Sequence, residues 1–310
     1  LPGVRSVKVT ESTFGENNLG VVIRPNAAMN NIILQDNRFS ASGNFLPYFF
    51  GQSPVPFEKK GFCGIYAEGV TSGINTPLNI GGGTVNGLHY GIITKNTAAY
   101  ISGIVFDDMK GGRALPSAYQ AYTGTGVASG KGIYAQGSAG NIVHISDNAL
   151  SNCLTGIEGN GVQLNVKSNS LGKVNYGIIG TAVHGLSVAA NTVEATHFGI
   201  GCGITGGGNA QIQFNRVTMD AFTAATGIVT SFGAPSSQTS AIDVNTVKMK
   251  TGVLGMWILN NYHTNAIGNA VSLNEDQTGM RIEAGSENIF DCNTVDTLQN
   301  ASTSTGIYAI

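Results

Sequence analysis

One spacing governs what this chain can fold into. An apolar residue, two spacers, an Asn, one spacer and a second apolar residue recur along it, with Gly-Ile eight residues after the Asn in the clearest copies. Thus VKSNSLGKVNYGIIG at 166–180 is followed by VAANTVEATHFGIGC at 188–202. With that Asn as an index position, the frame returns at Asn148, Asn169, Asn191, Asn215, Asn245, Asn269 and Asn293, at intervals of 21, 22, 24, 30, 24 and 24 residues. Leu150, Leu171, Val193, Val217, Val247, Val271 and Val295 stand two places after it, and Ile145, Val166, Val188, Ile212, Ile242, Ala266 and Phe290 three places before. Gly-Ile follows at 156–157, 177–178, 199–200 and 227–228, and again at 306–307. Toward the start the same frame fits Asn37 fully, then Ser12 and Gly83, and most loosely Ile104, which makes eleven units.

A period of 20–50 residues means stacked supersecondary units, and this one sits at the short end of that range. The apolar spacing of two, three and two is that of strands with a kink at the Asn; helical spacing fails. Val, Ile, Thr and Gly dominate where Ala, Glu, Lys and Leu would mark helices. Each unit is therefore expected to be a coil of about three short strands whose apolar residues point inward, every strand pairing in parallel with the next coil. The Asn column reads as architecture. An Asn tolerates unusual backbone angles, and amides stacked at ~4.8 Å can hydrogen-bond up the axis as a ladder. The Gly of Gly-Ile is expected at a second corner, where it would permit a positive φ.

This pattern resembles the right-handed parallel β-helix, the fold of pectate lyases, polygalacturonases, phage tailspikes and β-helical segments of large bacterial secreted or cell-surface proteins. The resemblance covers essentially the whole chain and implies an all-β fold: a single-domain solenoid over 1–310, of about eleven coils with an Asn ladder. It is specific for fold and weak for function, because such scaffolds host unrelated activities.

Composition narrows the function classes. Charged residues make up 11% of the chain, against about 25% in an ordinary soluble domain. A net charge of −2 gives no electrostatic footprint for nucleic acid or anionic membrane, and no stretch approaches the ~18 consecutive apolar residues of a membrane span. Cys63, Cys153, Cys202 and Cys292 fall in different columns of non-adjacent coils. That is too far apart for disulfides, so buried free thiols are expected. The repeat begins almost at once and stops inside a coil, without the caps that solenoid ends require; a segment of a longer chain is expected, with further domains as partners.

Two insertions break the frame, at 40–62 and 109–132, both leaving just after an index strand. The first carries Phe45, Tyr48, Phe49, Phe50 and Phe57 with Lys59 and Lys60; the second carries Arg113, Tyr119 and Tyr122. Long loops on rigid scaffolds often carry function. Tyr48, Phe49, Phe50, Phe57, Lys59, Lys60, Tyr119 and Tyr122 are accordingly the candidate binding surface for sugar rings or a protein partner. The competing expectation is that these aromatics fold back as a satellite core, since so many exposed at once would promote aggregation.

For catalysis, glycosidases need two carboxylates ~5–9.5 Å apart. Three places after the index, an outward column reads Asn86, Asp107, Ser151, Gly172, Glu194, Thr218 and Lys248, which leaves Asp107 and Glu194 three coils apart, roughly 14 Å. Asp107 and Asp108 resemble the double Asp of polygalacturonases, but that family's Gly-His-Gly and Arg-Ile-Lys elements are missing at sensible spacing. Were the protein a polysaccharide lyase or glycoside hydrolase, Asp107, Asp108, Lys110 and Arg113 would be the residues to test. The acidic C-terminal coils offer Glu275, Asp276 and Asp291 as weak Ca²⁺ ligands, with a solvated face as the plainer reading; no other cofactor is indicated. The five histidines form no metal or triad spacing. The resulting expectation is a non-catalytic, secreted or cell-surface solenoid of structural or adhesive role, meeting polysaccharide or other surface proteins. The alternative is a carbohydrate-active protein.

Overall fold

The computed structural model describes residues 6–24, 31–42, 61–70, 78–111, 117–123, 129–205, 208–220, 225–232, 238–250, 252–274, 277–297 and 304–309. Parallel strands stack into a β-solenoid, a parallel β-helix, of about ten turns. Its contacts cluster into two compact units, Leu1–Val162 and Gln163–Ile310, each held by the nearest-neighbour pairing characteristic of stacked repeats.

In the first unit, the strands Ser6–Thr10, Asn31–Gln35, Leu78–Gly81, Ala99–Ser102 and Ile142–Ser146 form one face, each parallel to the next. Three-residue strands, from Thr13–Gly15 to Ala149–Ser151, form a second face just past the corner. A third face runs from Leu19–Ile23 through Cys63–Glu68, Tyr90–Lys95 and Lys131–Gln136 to Thr155–Asn160. The second unit repeats the plan with six strands on its first face, Gln163–Lys167 to Ile289–Asp291. There Ser170–Val183 and Thr192–Ile204 each run unbroken through the second and third positions.

Alternation of side chains along each strand places the repeat's apolar positions in the core. Val166, Val188, Ile212 and Ile242 are buried on successive turns, as are Leu171, Val193, Val217 and Val247 two residues past the index. The Gly-Ile isoleucines 157, 178, 200 and 228 close the core from the third face.

The corner is built differently from the expectation. In all eleven units the left-handed residue stands one place before the index, with φ between 52° and 67°: Glu11, Asp36, Gly82, Gly103, Asp147, Ser168, Ala190, Phe214, Val244, Gly268 and Cys292. The index Asn is not itself left-handed; its side chain works by hydrogen bonding. In the second unit, Asn169, Asn191, Asn215, Asn245 and Asn269 each donate from Nδ2 to Oδ1 of the next Asn, ending at Asn293, over 2.9–3.0 Å. Each of these oxygens also accepts the backbone N–H of the preceding Asn. In the first unit, the Asn148 side chain takes the Ile104 N–H and donates to the Ile101 carbonyl, and Asn37 does the same for Ser12 and Val9. Buried backbone groups at a corner are thereby paired.

The glycine column is also explained by packing rather than by φ. No left-handed φ occurs at Gly177, Gly199, Gly227 or Gly255. A Cβ at Gly199 would lie 2.3 Å from Val217 Cγ1 and 2.5 Å from the Gly227 carbonyl oxygen. Gly227 would meet Val247 at 2.4 Å and Gly255 would meet Val271 at 2.3 Å. The glycine vacates the space that the next turn's index-plus-two side chain fills.

All four cysteines are free, and Cys63, Cys153 and Cys202 are buried. Cys292 departs from the expectation: it occupies the left-handed corner, whose side chain points outward, and is exposed.

Candidate functional site

The second insertion contains a helix the sequence reading did not anticipate, Ser117–Thr123. It lies over the third face of the first unit. Outward from that face, the residue before each column glycine is Leu19, Cys63, Tyr90, Lys131 or Thr155, and the residue after each following isoleucine includes Tyr66, Ile93, Tyr134 and Glu158. Phe62, Cys63, Tyr66, Tyr90, Ile93 and Tyr134 form a buried cluster there, with Tyr119 and Tyr122 packed against it. The Phe62 and Tyr119 rings lie 4.6 Å apart, and Tyr122 meets Tyr66 edge-on at 4.9 Å. The helix is also tied by polar bonds: Tyr134 OH donates to the Thr123 carbonyl at 3.1 Å, and Lys95 Nζ to the Ala121 carbonyl at 3.0 Å. Tyr119 and Tyr122 are thus half-buried packing residues of a satellite core. Tyr48, Phe49, Phe50, Phe57, Lys59 and Lys60 of the first insertion lie outside the described residues.

Charged groups border this cluster. The Glu68 carboxylate takes Arg24 Nε at 2.9 Å, Tyr66 OH at 2.8 Å and Lys95 Nζ at 3.2 Å. Burial pushes its pKa up, but the Tyr66 hydrogen bond and the neighbouring cations outweigh that and hold it below the ordinary carboxylate value. The Arg24 guanidinium sits over the Tyr66 ring at 4.9 Å. Lys131, nearly enclosed, pairs with Glu158 on the next turn and lies 4.8 Å from the Tyr134 ring centroid. Burial lowers the Lys131 pKa, an effect the Glu158 charge partly offsets. Burial raises Tyr66 and Tyr134 to about 12, so both phenols are neutral donors at physiological pH.

The residues singled out for catalysis are engaged in the fold. Asp107 Oδ1 accepts Ser151 Oγ at 2.7 Å and Asn152 Nδ2 at 2.8 Å, which binds the second corner of one turn to the next. Asp108 occupies a left-handed position there, at φ 50°. Lys110 is fully buried, and its Nζ donates to the Ser42 carbonyl at 2.8 Å, joining the mouths of the two insertions. Arg113 lies outside the described residues. The structure brings Asp107 and Asp108 beside Cys153, whose thiol is pushed up by burial and then by those two charges; the Asp107 carboxylate bonds to a neighbouring turn and the Lys110 ammonium to the first insertion.

In the second unit, a shallow depression is lined by Lys173, Glu194, Ala195, Thr196 and Asp220. Asp220 is bridged at 2.5 Å by Lys250 of the next turn. Among the acidic C-terminal positions, Asp291 is exposed at the end of its strand, while Glu275 and Asp276 lie outside the described residues. Among the described residues no three His, Cys, Asp or Glu side chains group as metal ligands would, and no helix is long and apolar enough to cross a membrane. Glu287 instead pairs with His263 at 2.9 Å.

No protein-family model, no curated protein and no solved structure matches the chain.

Sequence reasoning missed the Lys131–Glu158 pair and the Glu68 hub. The signal was present: Lys131 precedes Gly132, Glu158 follows Ile157, and the register of the repeat makes those columns adjacent on neighbouring turns.

Proposed function

We propose that this protein is a non-catalytic extracellular or cell-surface solenoid, whose work is structural and adhesive: a stack of turns that presents loops and solvated sheet faces to polysaccharide or other surface proteins. The observation that carries the reading is the engagement of Asp107 and Lys110. The carboxylate and ammonium best placed to do chemistry beside the insertions are bonded to Ser151, Asn152 and Ser42, where they fix the corner and the loop mouths. A general acid or base must be free to reach a substrate proton. The sparse charge and Ser/Thr/Asn-rich exterior suit an extracellular scaffold.

A second reading, as a carbohydrate-active enzyme, is favoured by one observation: the depression that holds Glu194 and Asp220 on adjacent turns with Lys173 and Thr196 beside them. One experiment separates the two. The purified chain is incubated with pectin, alginate and neutral glycans while new reducing ends and unsaturated products are measured, and sedimentation with insoluble polysaccharide is scored in parallel. The scaffold reading expects retention without turnover. Turnover that disappears in Glu194→Gln or Asp107→Asn would overturn it.

A further inference from the structure

The first face of the first unit carries a feature that neither insertion explains. Its outward side chains run in two columns at turn spacing. Ile33, Asn79, Tyr100 and His144 are register partners in one; Gln35, Gly81, Ser102 and Ser146 are partners in the other. The Tyr100 and His144 rings stack at 4.4 Å and 17°. One face of the tyrosine is therefore covered by the next turn, and the other is directed back toward the turn of Asn79. Tyr100 remains 45% exposed. In the neighbouring column Gly81 contributes no side chain, and a depression of about 330 Å³ opens there, bounded by Tyr100 and Ile33, floored by Asn79 and Gly81 and edged by Gln35 and Ser102.

We infer that this notch is a binding subsite for a neutral hexopyranose unit of a polysaccharide, which inserts between Tyr100 and Ile33 with its C–H face on the tyrosine ring. The dimensions suit it. Ile33 and Tyr100 are two turns apart, ~9.6 Å along the stack, and a ring packed at ~3.5–4.0 Å on the Tyr100 face leaves room for its far side to meet Ile33. The aromatic face is electron-rich and attracts the weakly positive C–H groups of a pyranose. Gln35, Asn79 and Ser102 supply amide and hydroxyl partners of the kind that orient a ligand in a mostly apolar site. Among the described residues no Asp, Glu, Lys or Arg lines the depression, although Lys8 stands one turn beyond Ile33 and Asp36 beside Gly82. The neutral amide, hydroxyl and aromatic lining suits an uncharged sugar better than a uronic acid or a nucleotide, whose anionic groups call for a cation in the site itself. The notch exists because residue 81 is glycine. Its backbone is not left-handed, and a Cβ there would lie 3.7 Å from the nearest atom, so a larger residue could be accommodated without strain.

This inference rests on the adhesive reading and gives it a place and a ligand class. The test uses the full chain in titrations with cellohexaose, maltohexaose, a mannohexaose and, as the charged contrast, a galacturonate hexamer, followed by the ¹³C-labelled tyrosine ring signals. The expected result is saturable binding of at least one neutral oligomer, with a Kd on the order of 1 mM for a single shallow subsite, and a shift at Tyr100. Gly81→Leu, which fills the notch, and Tyr100→Ala should each weaken it about tenfold or more, while Tyr100→Phe stays within about threefold and all three variants keep the wild-type melting temperature. Binding that survives Gly81→Leu would overturn the subsite while leaving the adhesive surface intact. A failure of every neutral oligomer to bind, or preference for the galacturonate hexamer, would overturn the ligand class.

Discussion

Asn215→Ala is the sharpest perturbation the corner allows. Asn215 is 2% exposed. Its Oδ1 accepts the Asn191 backbone N–H and Asn191 Nδ2, both at 3.0 Å, and its Nδ2 donates to the Val188 carbonyl at 2.9 Å, the Gln213 carbonyl and Asn245 Oδ1. Some of these partners keep a second bond after truncation. Gln213 O still takes the Ala190 N–H, Asn245 Oδ1 still takes the Asn215 N–H, and Asn191 Nδ2 still reaches the Val166 and Ala189 carbonyls. The Asn191 N–H loses this partner in a dry interior, while the Val188 carbonyl loses one of two bonds and keeps its place in the parallel ladder with the next turn. At ~1–3 kcal/mol for the unsatisfied donor and ~0.5–1.5 kcal/mol for the bond lost at Val188, the loss is about 1.5–4.5 kcal/mol. Asn293→Ala supplies an internal scale: that side chain is only half-buried, so water replaces its bonds and the loss should stay near ~1 kcal/mol. Because a stacked repeat opens locally, native-state hydrogen exchange is the suitable assay. Asn215→Ala should accelerate exchange of the Asn191 amide by about tenfold or more. The reasoning is refuted if Asn191 exchange is unchanged, or if Asn293→Ala costs as much as Asn215→Ala.

Other substitutions test the remaining parts of a turn. Val244 is β-branched, half exposed and left-handed at φ 54°; Val244→Asn should stabilise the protein by ~1 kcal/mol, seen as a higher denaturation midpoint. Gly199→Ala drives a Cβ against Val217 and the Gly227 carbonyl, and should destabilise by about 1–3 kcal/mol in the same assay. Burial holds the His144 and His197 pKa values below 6.5. Between those folded values and 6.5 the unfolded chain binds the additional protons, so stability rises with pH through that window and falls on acidification. Melting curves from pH 7 to 5 should show this fall, and it should shrink in the double variant His144→Gln, His197→Gln.

The repeat made the parallel stack legible because one column position leaves the same imprint on each turn: Val166, Val188, Ile212 and Ile242 fill one place in the core. The left-handed residue was not legible. It is set by the backbone, and Phe214, Val244 and Ser168 occupy it as well as Gly82, so no residue type marks it. The role of Gly199 was mistaken for a φ requirement because the need for glycine arises from Val217 on the next turn, invisible along a single strand. The helix Ser117–Thr123 is too short to show periodicity, and it is positioned by Tyr134 and Lys95 from other turns. At the candidate site, Asp107 and Lys110 could be nominated from residue type alone. Their partners Ser151, Asn152 and Ser42 lie 44, 45 and 68 residues away, and only the fold reveals them.

The central claim is that successive turns of this chain rest on one another at the Asn corner. Through-hydrogen-bond scalar coupling in the deuterated, ¹⁵N,¹³C-labelled protein tests it most directly. The predicted correlations join the Asn191 amide nitrogen to the Asn215 side-chain carbonyl carbon, 24 residues on, and the Asn215 amide nitrogen to that of Asn245, 30 residues on. Correlations from these amides to carbonyls only a few residues away would contradict the stack.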